Sequence, residues 1–117
     1  MGNGEEAVKP LKALSEGDSD MPSIGEKFKS GQVVCTSGVN ARMQEDAAFR
    51  MYAHECLVRH MVADWGDVDE ADKQANERAL VEGTRLFSAY TARGLPKLWI
   101  ITEADRSSTC VLFPNEY

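Results

Sequence analysis

The chain of 117 residues is 43% hydrophobic, which suffices for the core of one domain, but no run approaches the roughly 18 apolar residues of a membrane span. It carries 19 acidic and 13 basic side chains, a formal net charge of −6, which argues against binding of a nucleic-acid backbone through clustered Lys and Arg. With no signal peptide indicated, we expect a cytoplasmic protein whose three cysteines are reduced and buried.

Residues 1–30 are rich in Gly, Pro, Ser, Lys and Glu and poor in apolar side chains. Such a segment buries too little apolar surface to offset the entropy lost on ordering, so we predict a disordered leader. Residues 31–117 are predicted to form a single α+β domain. Its first element is a short β-prone run, Gln32–Thr36, which predicts a strand.

Two helices are predicted after this strand. In the first, Ala41–Val62, apolar residues recur at i, i+3, i+4, i+7 and i+8, which indicates one buried face. That face consists of Phe49, Tyr52, Ala53, Cys56, Leu57, His60 and Met61. Asp69 is the predicted N-cap of the second helix, which runs to Glu82 and ends at Gly83.

Three further strands are predicted, at Arg85–Thr91, Lys97–Thr102 and Thr109–Phe113. The run Leu98–Ile101 is the most apolar and β-prone part of the chain, so the central strand is placed there. The predicted order is β-α-α-β-β-β, an α+β fold in which two helices pack on a small antiparallel sheet. Apolar residues on both faces of this sheet leave the pairing of two copies into a homodimer open.

Five carboxylates fall within nine residues around the start of the second helix: Asp64, Asp67, Asp69, Glu70 and Asp72. Their spacing lacks the glycine that an EF-hand calcium loop requires. The acids either stabilise the N-terminus of the helix or form an anionic patch that binds Arg and Lys of another protein or imitates DNA phosphates. Trp65 lies inside this cluster and is an interface anchor if exposed, or a core residue under the turn if buried.

The predicted turn after the central strand is also polar and contains Glu103, Asp105 and Arg106. Hairpin tips often carry functional residues, and this tip offers two acids and a cation that could hold an anion. The same residue types are common in turns. No His or Lys base and no Gly-rich phosphate loop accompanies them, so catalysis is not predicted.

Cys56, His60 and Asp64 are spaced four residues apart and share one face of a helix, a spacing that can hold a metal ion. Cys56, however, belongs to the predicted apolar face, and His60 is expected to pack beside it with a hydrogen-bonded ring nitrogen. We therefore predict no metal and no cofactor.

Several strings in the chain resemble a family of small bacterial proteins carried on plasmids, phages and integrated elements, usually labelled plasmid-related proteins. They are Asp64–Asp67 (DWGD), Asp69–Asn76 (DEADKQAN), Ser88–Tyr90 (SAY), Leu98–Ser107 (LWIITEADRS) and Pro114–Tyr117 (PNEY). The resemblance covers about residues 31–117 and implies an accessory protein of a mobile genetic element. Small acidic proteins of such elements often inhibit host defence. The element order is also similar to that of the RelE and ParE toxins, which are basic where this chain is acidic.

We therefore predict a non-enzymatic protein that binds another protein with a basic surface, including an inhibitor of a host defence or nucleic-acid-binding protein. The predicted binding residues are Asp64, Trp65, Asp67, Asp69, Glu70, Asp72, Glu103, Asp105 and Arg106. The alternative is a toxin-like or catalytic domain that uses the Glu103–Ser108 tip together with Arg85 or Arg106.

Overall fold

A computed structural model of the protein describes residues 26–117 in full and residues 8–10 as backbone. In chain order the elements are β1 (Val8–Pro10), β2 (Gln32–Thr36), α1 (Ser37–Glu45), α2 (Ala47–Met61), α3 (Glu70–Glu82), β3 (Leu86–Ala92), β4 (Leu95–Thr102), β5 (Ser108–Leu112) and a 3-10 helix (Pro114–Glu116). None of the helices among these residues has the length and apolar character needed to cross a membrane.

The strands of the described residues form one sheet in the order β1-β2-β5-β4-β3. The predicted α+β class is confirmed, and β3, β4 and β5 form the predicted antiparallel meander. The sheet is mixed rather than purely antiparallel, because β2 lies parallel to β5, with Val34 opposite Cys110. A parallel neighbour requires a long crossover connection, and the chain between β2 and β5 contains α1, α2 and α3 followed by β3 and β4.

The region predicted as one helix contains two. α1 begins after Thr36, whose side chain accepts a hydrogen bond from the backbone N–H of Val39 at 3.2 Å. The helix stops at Asp46, which has extended backbone angles and caps α2 by accepting from the N–H of Phe49 at 3.1 Å. A short carboxylate favours this N-cap geometry over a helix interior, which explains the break.

The core lies between the helices and one face of the sheet. All members of the predicted apolar face of α2 are buried, as predicted. They pack against Tyr90, Leu98, Ile100 and Val111 of the sheet. α3 also follows its prediction, since Asp69 caps its start and Gly83 ends it with a φ of +78°.

A chain of polar side chains crosses this core. The His60 Nδ1 lies 2.6 Å from the Ser88 hydroxyl, and its Nε2 lies 2.9 Å from the Thr102 hydroxyl. Thr102 is 2.7 Å from the hydroxyl of Thr109, which donates to the carbonyl of Ser30 at 2.8 Å. The Thr109 hydroxyl donates its only proton to that carbonyl. The Thr102 hydroxyl must therefore donate to Thr109 and accept from the Nε2–H of His60. His60 is therefore a neutral core residue that accepts at Nδ1 from Ser88, and burial lowers its pKa to about 3.

The outer edge of β3 is closed by side-chain and loop contacts. The Asn76 side chain donates to the carbonyl of Phe87 at 2.6 Å and accepts from its N–H at 3.1 Å. The N–H of Ala89 donates to the carbonyl of Trp65, and its carbonyl accepts from the N–H of Asp67. Backbone groups that would otherwise attract another strand are thus satisfied within the molecule.

Two parts of the predicted leader, residues 1–30, contact the domain. Residues 8–10 pair antiparallel with β2. Phe28 packs against the core, with its ring centroid 5.3 Å from that of His60 and 6.4 Å from that of Trp65. The leader prediction for residues 1–7 and 11–25 lies outside the described residues.

Candidate interaction surface

Asp64 is the member of the acid cluster that has an ionic partner within the molecule. Its two carboxylate oxygens accept hydrogen bonds from Arg59 at 2.8 and 3.2 Å. These contacts hold the pKa of Asp64 below its usual range. Much of the Asp64 charge is consequently offset by the molecule's own guanidinium.

The other acids of the cluster, Asp67, Asp69, Glu70 and Asp72, are exposed and form what we call the acidic patch. Asp67 accepts from the Thr91 hydroxyl at 2.7 Å, and Asp69 accepts from the N–H of Asp72 at 2.8 Å as the cap of α3. The two ion pairs found among residues 26–117 are Arg42–Asp46 and Arg59–Asp64, so neither involves the acidic patch. The patch supports the N-terminus of α3 and also presents uncompensated negative charge.

Trp65 is a core residue, which corrects its predicted place among the partner-binding side chains. It is 4% exposed and packs with Val68 and Ala79. Its indole N–H donates to Glu77 at 2.9 Å. The turn folds so closely over β3 because Gly66, with a φ of +75°, lies where a Cβ would be 2.1 Å from the carbonyl oxygen of Ala89.

Arg106 connects the hairpin tip to α3. It has a positive φ of 61°, and its guanidinium donates to backbone carbonyls of Ala79 at 3.0 Å and Thr84 at 2.7 Å. It also donates to the carbonyls of Glu103 and Ala104 within the tip. These contacts, made through Nη1 and Nη2, hold the tip against the C-terminal end of the helix.

The remaining tip residues lie apart from the acidic patch. Asp105 accepts hydrogen bonds from Ser107, which lower its pKa, and Glu103 is exposed. The tip contacts α3 near Ala79, whereas the patch lies at the start of the helix. Ala79 follows Glu70 by nine positions along the helix, roughly 14 Å at 1.5 Å per residue. The predicted binding residues therefore fall into two groups rather than one site.

A pocket that the sequence reasoning did not identify lies on the sheet face turned away from α1 and α2. We call it the aromatic pocket; it has a volume of about 260 Å³ and is lined by Asp72, Arg85, Phe87, Trp99, Ile101 and Tyr117. The rings of Phe87 and Trp99 meet edge to face at 5.0 Å, and those of Trp99 and Tyr117 at 5.7 Å. Residue alternation along β4 places Trp99 and Ile101 on the face opposite the buried Ile100, and this pattern could have indicated part of the pocket. No sequence pattern indicates that Tyr117 and Asp72 join it.

Charged groups stand at the rim of the aromatic pocket. The guanidinium of Arg85 donates to the Tyr117 hydroxyl at 2.5 Å and lies 5.7 Å from the centre of its ring. Asp72 belongs to both the pocket and the acidic patch. Partly exposed aromatic rings thus adjoin a set of carboxylates on one surface.

The C-terminal segment holds Tyr117 in place. Glu116 accepts from the Thr36 hydroxyl at 2.6 Å and from the N–H of Phe113 at 2.8 Å. Phe113 and its neighbours Pro114 and Asn115 also line a second pocket of about 390 Å³ beside Arg42 and Lys97. The segment therefore forms a wall of both pockets.

No group of three or more His, Cys, Asp or Glu side chains within the described residues is placed to hold a metal ion. Comparison of the chain with protein-family models, curated proteins and solved structures found no match. The resemblance to the mobile-element family stays a prediction.

Proposed function

We propose that this protein is a non-enzymatic accessory protein of a mobile genetic element that acts in the cytoplasm by binding another protein. The observation that carries the proposal is the position of Asp72, which joins the acidic patch to the aromatic pocket. Aromatic side chains with adjoining charged groups are typical of interface centres, where large rings provide apolar contact area and charges select the partner.

The chemistry of this surface favours a partner with a basic surface. The chain carries a net charge of −6, and the acidic patch adds a local concentration of negative charge without an internal cationic partner. Such a field raises the association rate with a positively charged protein and repels nucleic acid. A host protein that itself binds nucleic acid has the complementary surface, so inhibition of such a protein is the particular form we propose.

The proposal is tested by charge reversal that leaves the helix cap intact. In Glu70→Lys/Asp72→Lys, two exposed acids of the patch are reversed while Asp69 still caps α3. The matched control, Glu55→Lys/Glu82→Lys, makes the same change in net charge at exposed positions outside the patch. Both variants and the parent are used to capture proteins from a bacterial lysate, after thermal melts establish that all three fold.

We expect the patch variant to lose partners that the parent and the control retain. Partners captured equally by all three proteins, or lost equally by both variants, would contradict a specific role of the patch. The alternative, a toxin-like or catalytic tip at Glu103–Ser108, has less support because the Arg106 guanidinium is anchored by hydrogen bonds to backbone carbonyls of the same molecule.

A further inference from the structure

The aromatic pocket combines rings and charges in a way that defines a ligand class. Trp99 is in edge-to-face contact with both Phe87 and Tyr117, and the acidic residue Asp72 lines the same pocket. Aromatic faces attract cations through their quadrupole, most strongly those of Trp, and a carboxylate at the rim strengthens that attraction. We propose that this pocket receives an arginine side chain of the protein partner, a statement that rests on the proposed function of the same surface.

The protein's own Arg85 shows that a guanidinium fits against one of these rings, that of Tyr117. It lies over Tyr117 and hydrogen-bonds the hydroxyl of that ring, on one side of the pocket. Phe87, Trp99 and Asp72 line the remainder. Arginine suits this space better than lysine because its planar guanidinium stacks on rings and binds a carboxylate through two parallel hydrogen bonds.

Arg85 and Asp72 carry opposite charges, so their effects on binding distinguish a cationic guest from an anionic one. If the guest is a cation, Arg85 repels it and competes for Tyr117, whereas Asp72 attracts it. Removing the charge of Arg85 then strengthens binding, and removing the charge of Asp72 weakens it. A pocket for an anion, such as a carboxylate, requires the opposite pair of effects.

The experiment uses the full chain labelled with ¹⁵N and two synthetic peptides, acetyl-Gly-Arg-Gly-amide and the same peptide with neutral citrulline in place of arginine. The readout is the indole N–H signal of Trp99 during titration. The indole of Trp65 is an internal control, because it is buried and bonded to Glu77. We expect a saturable shift of the Trp99 signal with a dissociation constant in the millimolar range, while the Trp65 signal stays in place.

The arginine peptide should bind about fivefold more tightly than the citrulline peptide, as an exposed cation–π contact with a nearby carboxylate implies. Asp72→Asn should weaken its binding about threefold, and Arg85→Gln should strengthen it about twofold. Equal binding of the two peptides, reversed signs in the two variants, or no saturable shift would overturn the proposal.

The outcome is separable from that of the capture experiment. If capture depends on Glu70 and Asp72 but the two peptides bind equally, the arginine pocket is wrong and the protein-binding function stands. If the two peptides bind with the expected difference but the patch variant captures the same proteins as the parent, the arginine pocket is supported and the proposed function is wrong.

Discussion

Acidification from pH 7 to pH 5 should destabilise this protein because His60 is buried in its neutral form. Burial, and secondarily the nearby charge of Arg106, lowers the pKa of its imidazole from the ordinary 6.5 to about 3 in the folded protein. The remaining partners of the ring, Ser88 and Thr102, are neutral hydroxyls. Protonation would also place a proton on Nδ1, which now accepts from Ser88, so that hydroxyl would have to turn away.

The direction of the pH effect follows from the number of protons that the folded and unfolded states bind. Below pH 6.5 the unfolded chain binds a proton at this histidine while the folded protein does not, so the free energy of unfolding falls as the pH falls. The loss approaches about 1.4 kcal/mol per pH unit and sums to about 2 kcal/mol between pH 7 and pH 5. Asp46, Asp64 and Asp105 have lowered pKa values in the folded protein. They therefore stabilise the fold at pH values above their ordinary pKa of 3.8, and this contribution is lost mainly at lower pH.

Urea denaturation at pH 7 and pH 5 measures the effect. The parent is compared with His60→Gln and with His54→Gln, a change at a partly exposed histidine of the same helix. His60→Gln should be less stable at pH 7 by about 1–3 kcal/mol through disrupted hydrogen bonds, but its stability should change little between the two pH values. The His54 variant should behave as the parent does. A parent whose stability is equal at both pH values, or a His60 variant that keeps the full decrease, would refute the reasoning.

Further predictions concern stability and are checked by thermal and urea melts. Arg106→Ala should cost about 2–4 kcal/mol through its lost hydrogen bonds to carbonyls, whereas Arg93→Ala at an exposed turn should cost almost nothing, and equal costs would contradict the connecting role of the tip. Asn76→Ala should cost about 1–3 kcal/mol by unpairing the backbone of the β3 edge, and an unchanged midpoint would show that water replaces the amide without penalty. Ile100→Ala should cost about 2–5 kcal/mol because the side chain is 0% exposed. Per deleted atom, this cost should exceed that of Trp99→Ala, which removes a half-buried ring, and the reverse order would show that the core face of the sheet is misassigned.

The parts of the fold that sequence reasoning captured depend on local, periodic signals. The buried face of α2 follows from 3.6-residue spacing, and the ends of α3 follow from the side chain of Asp69 and the left-handed conformation of Gly83. The break at Asp46 was missed because apolar spacing alone does not register a carboxylate that can cap a new helix. The parallel position of β2 depends on a crossover that no local pattern records.

The candidate site was less predictable because its residues meet only through tertiary structure. The sequence left Trp65 as either an exposed anchor or a core residue under the turn, and the close approach allowed by Gly66 buries it. Arg106 in a polar turn suggested an anion contact, but its acceptors come from α3 and from the loop after it. The contact of Trp99 with Tyr117 joins residues 18 positions apart, as the sequence numbering shows, and has no sequence signature of its own.

The two edge strands of the sheet, β1 and β3, differ in how far their outer backbone groups are satisfied within the molecule. On the β3 edge the outward backbone groups of Phe87 and Ala89 are already engaged, which favours the opposite edge, at β1, for the addition of a strand from a second molecule. In the described part of the chain, β1 and the aromatic pocket lie toward opposite ends of the sheet. Lateral growth of the sheet into a two-molecule assembly would therefore leave both copies of the pocket accessible, so such an assembly would present two equivalent sites.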